Sequence, residues 1–90
     1  MGILNYKQLL KELFCGHLRR FRQRMELSQD EMAERLRVSS RAYGDLERGK
    51  YCFSAVALLF FFSQLPEREV LELLKVFVKK AQALENQDAA

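Results

Sequence analysis

The chain contains no tryptophan, one proline, one histidine and two cysteines, and each scarcity closes a class of explanation. Cys15 and Cys52 lack a second ligand at the close spacing that metal sites use, and His17 adds none nearby, so neither a disulfide lattice nor a metal centre is expected. Reduced core thiols are the expectation. With a lone histidine, no glycine-rich phosphate loop and no paired acid motif, the chain lacks a nucleophile, a base and a cleft, and no enzyme activity, cofactor or small-molecule ligand is expected. The longest apolar run, Ala55 to Phe62, is eight residues, against about 20 for a bilayer span. Lys7, Lys11 and Glu12 break the apolar stretches near the N-terminus, so neither a membrane span nor a signal peptide is expected. Strand-like alternation is absent, as are Asn-Gly and Asp-Gly turns.

What is present is 90 residues that are 49% hydrophobic and 30% charged, enough for one compact domain over 1–90 and too few for two. So small a chain has a narrow stability margin, and a partner subunit would widen it. Charge is unevenly placed: residues 1–50 carry eleven Lys and Arg against seven Asp and Glu, whereas residues 51–90 carry four against five. The basic half includes Arg19, Arg20, Arg22 and Arg24, then Arg35, Arg37, Arg41, Arg48 and Lys50, a density that suits a polyanion such as nucleic acid.

Five helices are expected. From Tyr6, the residues Leu9, Leu10, Leu13, Phe14, Leu18, Phe21 and Met25 recur at helical steps, with Gly16 the weakest point and a candidate kink. Ser28-Gln29-Asp30-Glu31 is a capping box that starts a second helix, which carries Met32, Ala33 and Leu36 and ends near Arg37. Ser39 caps a third helix running to about Arg48, and Gly49 suits the left-handed residue that closes it. Ser54 caps a fourth, Ala55 to Gln64, apolar enough to be expected wholly buried. Pro66 at a first-turn position opens a fifth through about Leu84, followed by a frayed tail over 85–90.

The second and third helices carry the specific signal. In a twenty-residue unit counted from Gln29, apolar or small residues fall at the positions that plug a helix-turn-helix: Met32, Ala33, Leu36, Val38, Tyr43 and Leu46. Together with both serine caps and the closing Glu47-Arg48-Gly49, the stretch from Leu27 to Gly49 closely resembles the lambda-repressor-like, Cro/C1-type helix-turn-helix family, with the likeness extending over about 17–65. The resemblance implies an all-α, five-helix DNA-binding domain, here with an extended first helix and an extra-long C-terminal helix over about 66–84.

It also implies roles, position by position. The start of the first motif helix would abut the phosphate backbone, so Ser28 and Gln29 would offer backbone N–H groups and a side-chain amide to a phosphate. Ser39, Tyr43, Arg48, Lys50 and Tyr51 join them as phosphate-contact candidates, with the Tyr43 hydroxyl having to meet solvent or the DNA backbone. The start of the second motif helix would enter the major groove and present Ser40, Arg41, Gly44 and Asp45 to base edges. Arg41 is the best reader, since its planar fork matches guanine O6 and N7, whereas Ser40 can bond almost any edge. Asp45 either accepts from a cytosine amino group or pairs with Arg41 or Arg48 one turn away. Arg22 and Glu47 match a structural ion pair of the family. Arg37 stands where glycine is common, so either it adopts a left-handed conformation at about 1 kcal/mol or the turn differs. Tyr51-Cys52-Phe53 replaces the further basic and proline residues frequent after Lys50, which lowers the number of phosphates neutralised.

On the fifth helix the apolar residues span two adjoining stripes, more than one contact face needs. Val70, Leu74, Phe77, Val78 and Ala81 are the candidate dimer surface, which would match two operator half-sites about 34–36 Å apart. Alternatively, Ile3, Leu4, Leu9, Leu10 and Leu13 of the first helix cover that surface within one subunit. The expected function is sequence-specific binding of double-stranded DNA by a small transcriptional regulator, a repressor, acting as a homodimer in a bacterial or phage cytoplasm. The rival is a protein-interaction module or antitoxin-like subunit that keeps the fold without reading DNA.

Overall fold

The computed structural model describes residues 5–89, so Ile3 and Leu4 of the covering alternative lie outside the described residues. Five helices follow one another: α1 (Tyr6–Arg24), α2 (Gln29–Leu36), α3 (Ser40–Glu47), α4 (Ala55–Phe62) and α5 (Glu67–Ala89), with no strand among the described residues. The fold is all-α.

Polar caps set four of the starts. Asn5 Oδ1 accepts from Gln8 N at 2.9 Å, and the Ser39 and Ser54 hydroxyls accept from Ala42 N and Ala57 N at 3.1 Å. At α2 the capping box is complete: Glu31 N donates to Ser28 Oγ at 3.0 Å while Ser28 N donates to Glu31 Oε1 at 2.9 Å. Each bond satisfies a first-turn amide that has no carbonyl within the helix. Pro66 precedes α5, one residue earlier than expected, and its carbonyl accepts from Glu69 N and Val70 N.

The first three helices end alike. In each, an N–H five residues on returns to a carbonyl of the last turn: Leu27 to Arg22 at 3.0 Å, Val38 to Ala33 at 3.0 Å, Lys50 to Asp45 at 2.8 Å. This closure needs a left-handed residue. Gly49 supplies it after α3 at φ 73°, but Glu26 and Arg37 supply it after α1 and α2 at φ 56° and 60°, where a side chain costs about 1–2 kcal/mol. At Arg37 two contacts offset the strain, because its guanidinium lies 4.0 Å from the Phe60 ring centroid and donates to Arg35 O at 2.7 Å.

Phe14, Leu18 and Phe21 of α1, Met32 and Leu36 of α2, Tyr43 and Leu46 of α3, Phe61 of α4 and Leu73 of α5 form the core. Phe61 stands among rings, edge-on to Phe21 at 5.8 Å and stacked on Phe53 at 6.0 Å. α1 runs through Gly16 without a break. α5 lies antiparallel against it, tied at one end by Tyr6 Oη donating to Glu85 Oε2 at 2.6 Å and at the other by Arg24 to Glu69 at 3.5 Å.

Two expectations fail. α4 is not wholly buried: Ala57 and Phe61 are enclosed, but Val56 and Leu59 stand 60% and 65% exposed. In a chain this small there is not enough protein to surround an eight-residue helix on every side, so apolar composition does not secure burial. α5 also continues through the expected frayed tail to Ala89, since no breaker interrupts it and Glu85 is anchored by Tyr6.

Candidate nucleic-acid interface

α2, the turn at residues 37–39 and α3 form a helix-turn-helix whose inner side is fastened by one carboxylate. Glu47, 3% exposed, accepts from Arg22 Nε and Nη2, both at 2.8 Å, from Tyr43 Oη at 2.5 Å and from Gln29 Nε2 at 3.3 Å. Arg19 Nε stands 3.6 Å away. Three helices thus converge on one side chain. Burial pushes the Glu47 carboxyl up, but hydrogen bonds from Arg22, Tyr43 and Gln29 outweigh it and hold the group at about 2. The Tyr43 phenol moves the other way, raised well above its usual range by burial and then by the carboxylate it faces.

With its last turn fastened in this way, α3 is a fixed rod whose first turn faces outward. Ser39, Ser40 and Arg41 are exposed, beside the exposed Ser28, Gln29 and Asp30 at the start of α2. The first-turn N–H groups of Gln29 and Asp30 have no acceptor within the helix, which is the arrangement that attracts an oxyanion. Farther along, Arg48 and Lys50 are exposed, and Lys50 Nζ lies 5.5 Å from the ring centroid of Tyr51, itself 57% exposed. A cleft of about 350 Å³ separates α3 from the segment leading to α4, lined by Arg41, Asp45, Leu46, Tyr51 and Cys52 among others.

Several candidate residues occupy places that change their expected role. Tyr43 is fully enclosed, so its hydroxyl meets neither solvent nor a phosphate; the nearby Glu47 carboxylate captures it first. Asp45 is 7% exposed and its carboxylate pairs with Arg48, the second of its two alternatives, which turns it toward its own helix and away from a role as partner to a cytosine amino group. Gly44 is buried beneath Arg48, whose Nη1 would lie 3.4 Å from an added Cβ. Of the four base-edge candidates, Ser40 and Arg41 are exposed and Gly44 and Asp45 are buried. On α5, Ala81 is buried and Val70 and Phe77 are half-buried, so the exposed stripe is Leu71, Leu74 and Val78. These shift because α5 turns Leu73 and Ala81 inward.

Sequence reasoning missed three links, the Gln29 amide on Glu47, the Tyr43 hydroxyl on Glu47 and the Ser40 hydroxyl on Asp30 at 2.5 Å. The Tyr43–Glu47 bond had a usable signal, a donor and a carboxylate one helical turn apart.

No helix among the described residues is long and apolar enough to cross a membrane, and no group of three or more His, Cys, Asp or Glu there could hold a metal ion. A family model described as a helix-turn-helix domain matches residues 14–77. No curated protein and no solved structure matches the chain. The matched span is longer than the expected 17–65 and takes in the first half of α5.

Proposed function

The chain belongs to the helix-turn-helix domain family, and from that we propose that it binds double-stranded DNA sequence-specifically as a small transcriptional regulator, a repressor that acts by occupying its site. The observation that carries this reading is the polarity of α3. Its last turn is fastened through Glu47, while its first turn exposes Ser40 and Arg41 next to the open N-terminus of α2. A rod fastened at its last turn with its first turn exposed can enter a major groove without losing order.

Contacts then divide by kind. The N–H groups at the start of α2, the exposed Ser28, Ser39, Arg48 and Lys50, and the Tyr51 hydroxyl meet phosphate oxygens and set register. Gln29 joins them only if its amide leaves Glu47. Arg41 reads guanine through O6 and N7, a bidentate contact worth about 1–3 kcal/mol of discrimination. The pairing of Asp45 with Arg48 neutralises the carboxylate that favoured the rival interaction-module reading.

The active form is a homodimer through α5. Leu71, Leu74 and Val78 are 55%, 45% and 50% exposed on one side of a 23-residue helix, an apolar stripe of the kind that a two-fold copy covers. Two α3 rods would then address half-sites about one duplex turn apart.

Selection of bound duplexes from a random pool tests the reading. The expected result is a two-fold repeated site whose affinity falls with salt, by about 0.9 in log K per log unit of salt for each phosphate neutralised. Failure of every duplex to bind at low salt would move the function to protein interaction.

A further inference from the structure

We infer that Ser40 reads DNA in one direction only: Asp30 holds its hydroxyl so that it offers lone pairs to the groove and selects a base bearing an amino group, adenine or cytosine. The inference rests on the DNA-binding reading above and concerns the polarity of one contact within it.

Ser40 is the first residue of α3 and is exposed, with Oγ 2.5 Å from Asp30 Oδ1. An ionised carboxylate has no proton to give, so the hydrogen in this bond is the serine's. A serine hydroxyl carries one proton and two lone pairs, and when free it turns to suit whichever edge it meets. That freedom is why serine ordinarily specifies little. Once the proton is committed to Asp30, only acceptor capacity faces outward.

In the major groove the adenine N6 and cytosine N4 amino groups donate, whereas guanine O6 and N7 and thymine O4 accept. Against the last three, Ser40 would set lone pair against lone pair. Turning the hydroxyl to donate would give up a charge-assisted bond for a neutral one, and would leave a carboxylate stripped of its donor beside the phosphates. Asp30 is well placed to hold: it lies in the first turn of α2, where the helix end favours negative charge, on a helix start fixed by the Ser28–Glu31 capping box. The neighbouring Arg41 has the opposite character, since a guanidinium only donates. Two adjacent residues of opposite polarity would therefore select an amino-bearing base next to a guanine.

The experiment is duplex selection from a random pool with the full chain and with Ser40→Ala, Asp30→Asn and Arg41→Ala, each variant first checked for helical melting. The wild-type pool is expected to hold adenine or cytosine beside the guanine that Arg41→Ala loses, favoured over guanine or thymine on the order of fivefold, the strength of one hydrogen bond. Ser40→Ala should erase that preference. Asp30→Asn, whose amide can donate to the serine and release its proton, should admit guanine and thymine there while keeping the Arg41 guanine. If Asp30→Asn does not fold, Ser40→Ala decides alone.

The inference is overturned if Ser40→Ala leaves the preference unchanged, or if the base that it affects is guanine or thymine in the wild type. Those outcomes would leave DNA binding intact, because the Arg41 guanine would persist. Absence of any bound duplex for the wild type would overturn both readings together.

Discussion

Replacing Glu47 by glutamine keeps the shape of the side chain and removes the charge on which Arg22, Tyr43 and Gln29 converge. Two views of the same ion pair give the size of the loss. Arg22, its side chain 19% exposed, would be left with an uncompensated charge, which costs about 3–5 kcal/mol when one partner of a buried pair is removed. Seen from the carboxylate, which Arg22 chiefly stabilises, Glu47 is held at about 2 against an ordinary 4.5, a difference worth about 3 kcal/mol. Because the folded value is the depressed one, this stabilisation is present in full above about pH 4.5 and is lost as pH falls toward about 2. For a chain of 90 residues, a loss of about 3 kcal/mol lowers Tm by roughly 12–24 °C. Thermal and urea unfolding followed by circular dichroism from pH 7 to pH 2 should show the wild type well above the variant at pH 7, with the gap closing across the acid window. A gap below about 1 kcal/mol at pH 7, or one that does not change with pH, would refute the account of Glu47 as the fastening point.

Glu26→Gly should stabilise the chain by about 1 kcal/mol, because φ 56° at that position suits glycine; a lower urea midpoint would show that the side chain does more than tolerate the turn. Leu74→Glu should leave the fold intact and convert a dimer to a monomer in sedimentation; an unchanged mass would exclude the α5 stripe as the self-association surface. Phe61→Ala empties the centre of the ring cluster and should cost about 3–5 kcal/mol; a loss under about 1 kcal/mol would mean the rings repack without it.

The helix starts were legible because each depends on a local bond: Ser28, Ser39 and Ser54 each meet an N–H three residues on, and only the immediate sequence decides that. Gly49 and the left-handed conformation weighed for Arg37 were legible for the same reason. Glu26 was not, since no residue preference marks a glutamate for φ 56° and the closure after α1 imposes it. The exposure of Val56 and Leu59 was hidden because burial depends on how much protein surrounds a helix, and composition does not report that. At the site, the pattern located α3 and its exposed first turn. It offered the pairing of Asp45 with Arg48 as one of two alternatives, but it did not reveal that Tyr43 turns inward to Glu47 or that Ser40 is held from the neighbouring helix, because those outcomes are settled by which charge lies nearest in three dimensions.

The most direct measurement is a salt titration of affinity for the selected duplex and an unrelated one, made with the wild type, Arg41→Ala and Lys50→Ala. The account predicts that Arg41→Ala removes most of the preference for the selected duplex, about 1–3 kcal/mol, while Lys50→Ala weakens both duplexes alike and flattens the salt dependence by about one phosphate. Equal affinity of the wild type for both duplexes, or a preference that survives Arg41→Ala, would contradict it.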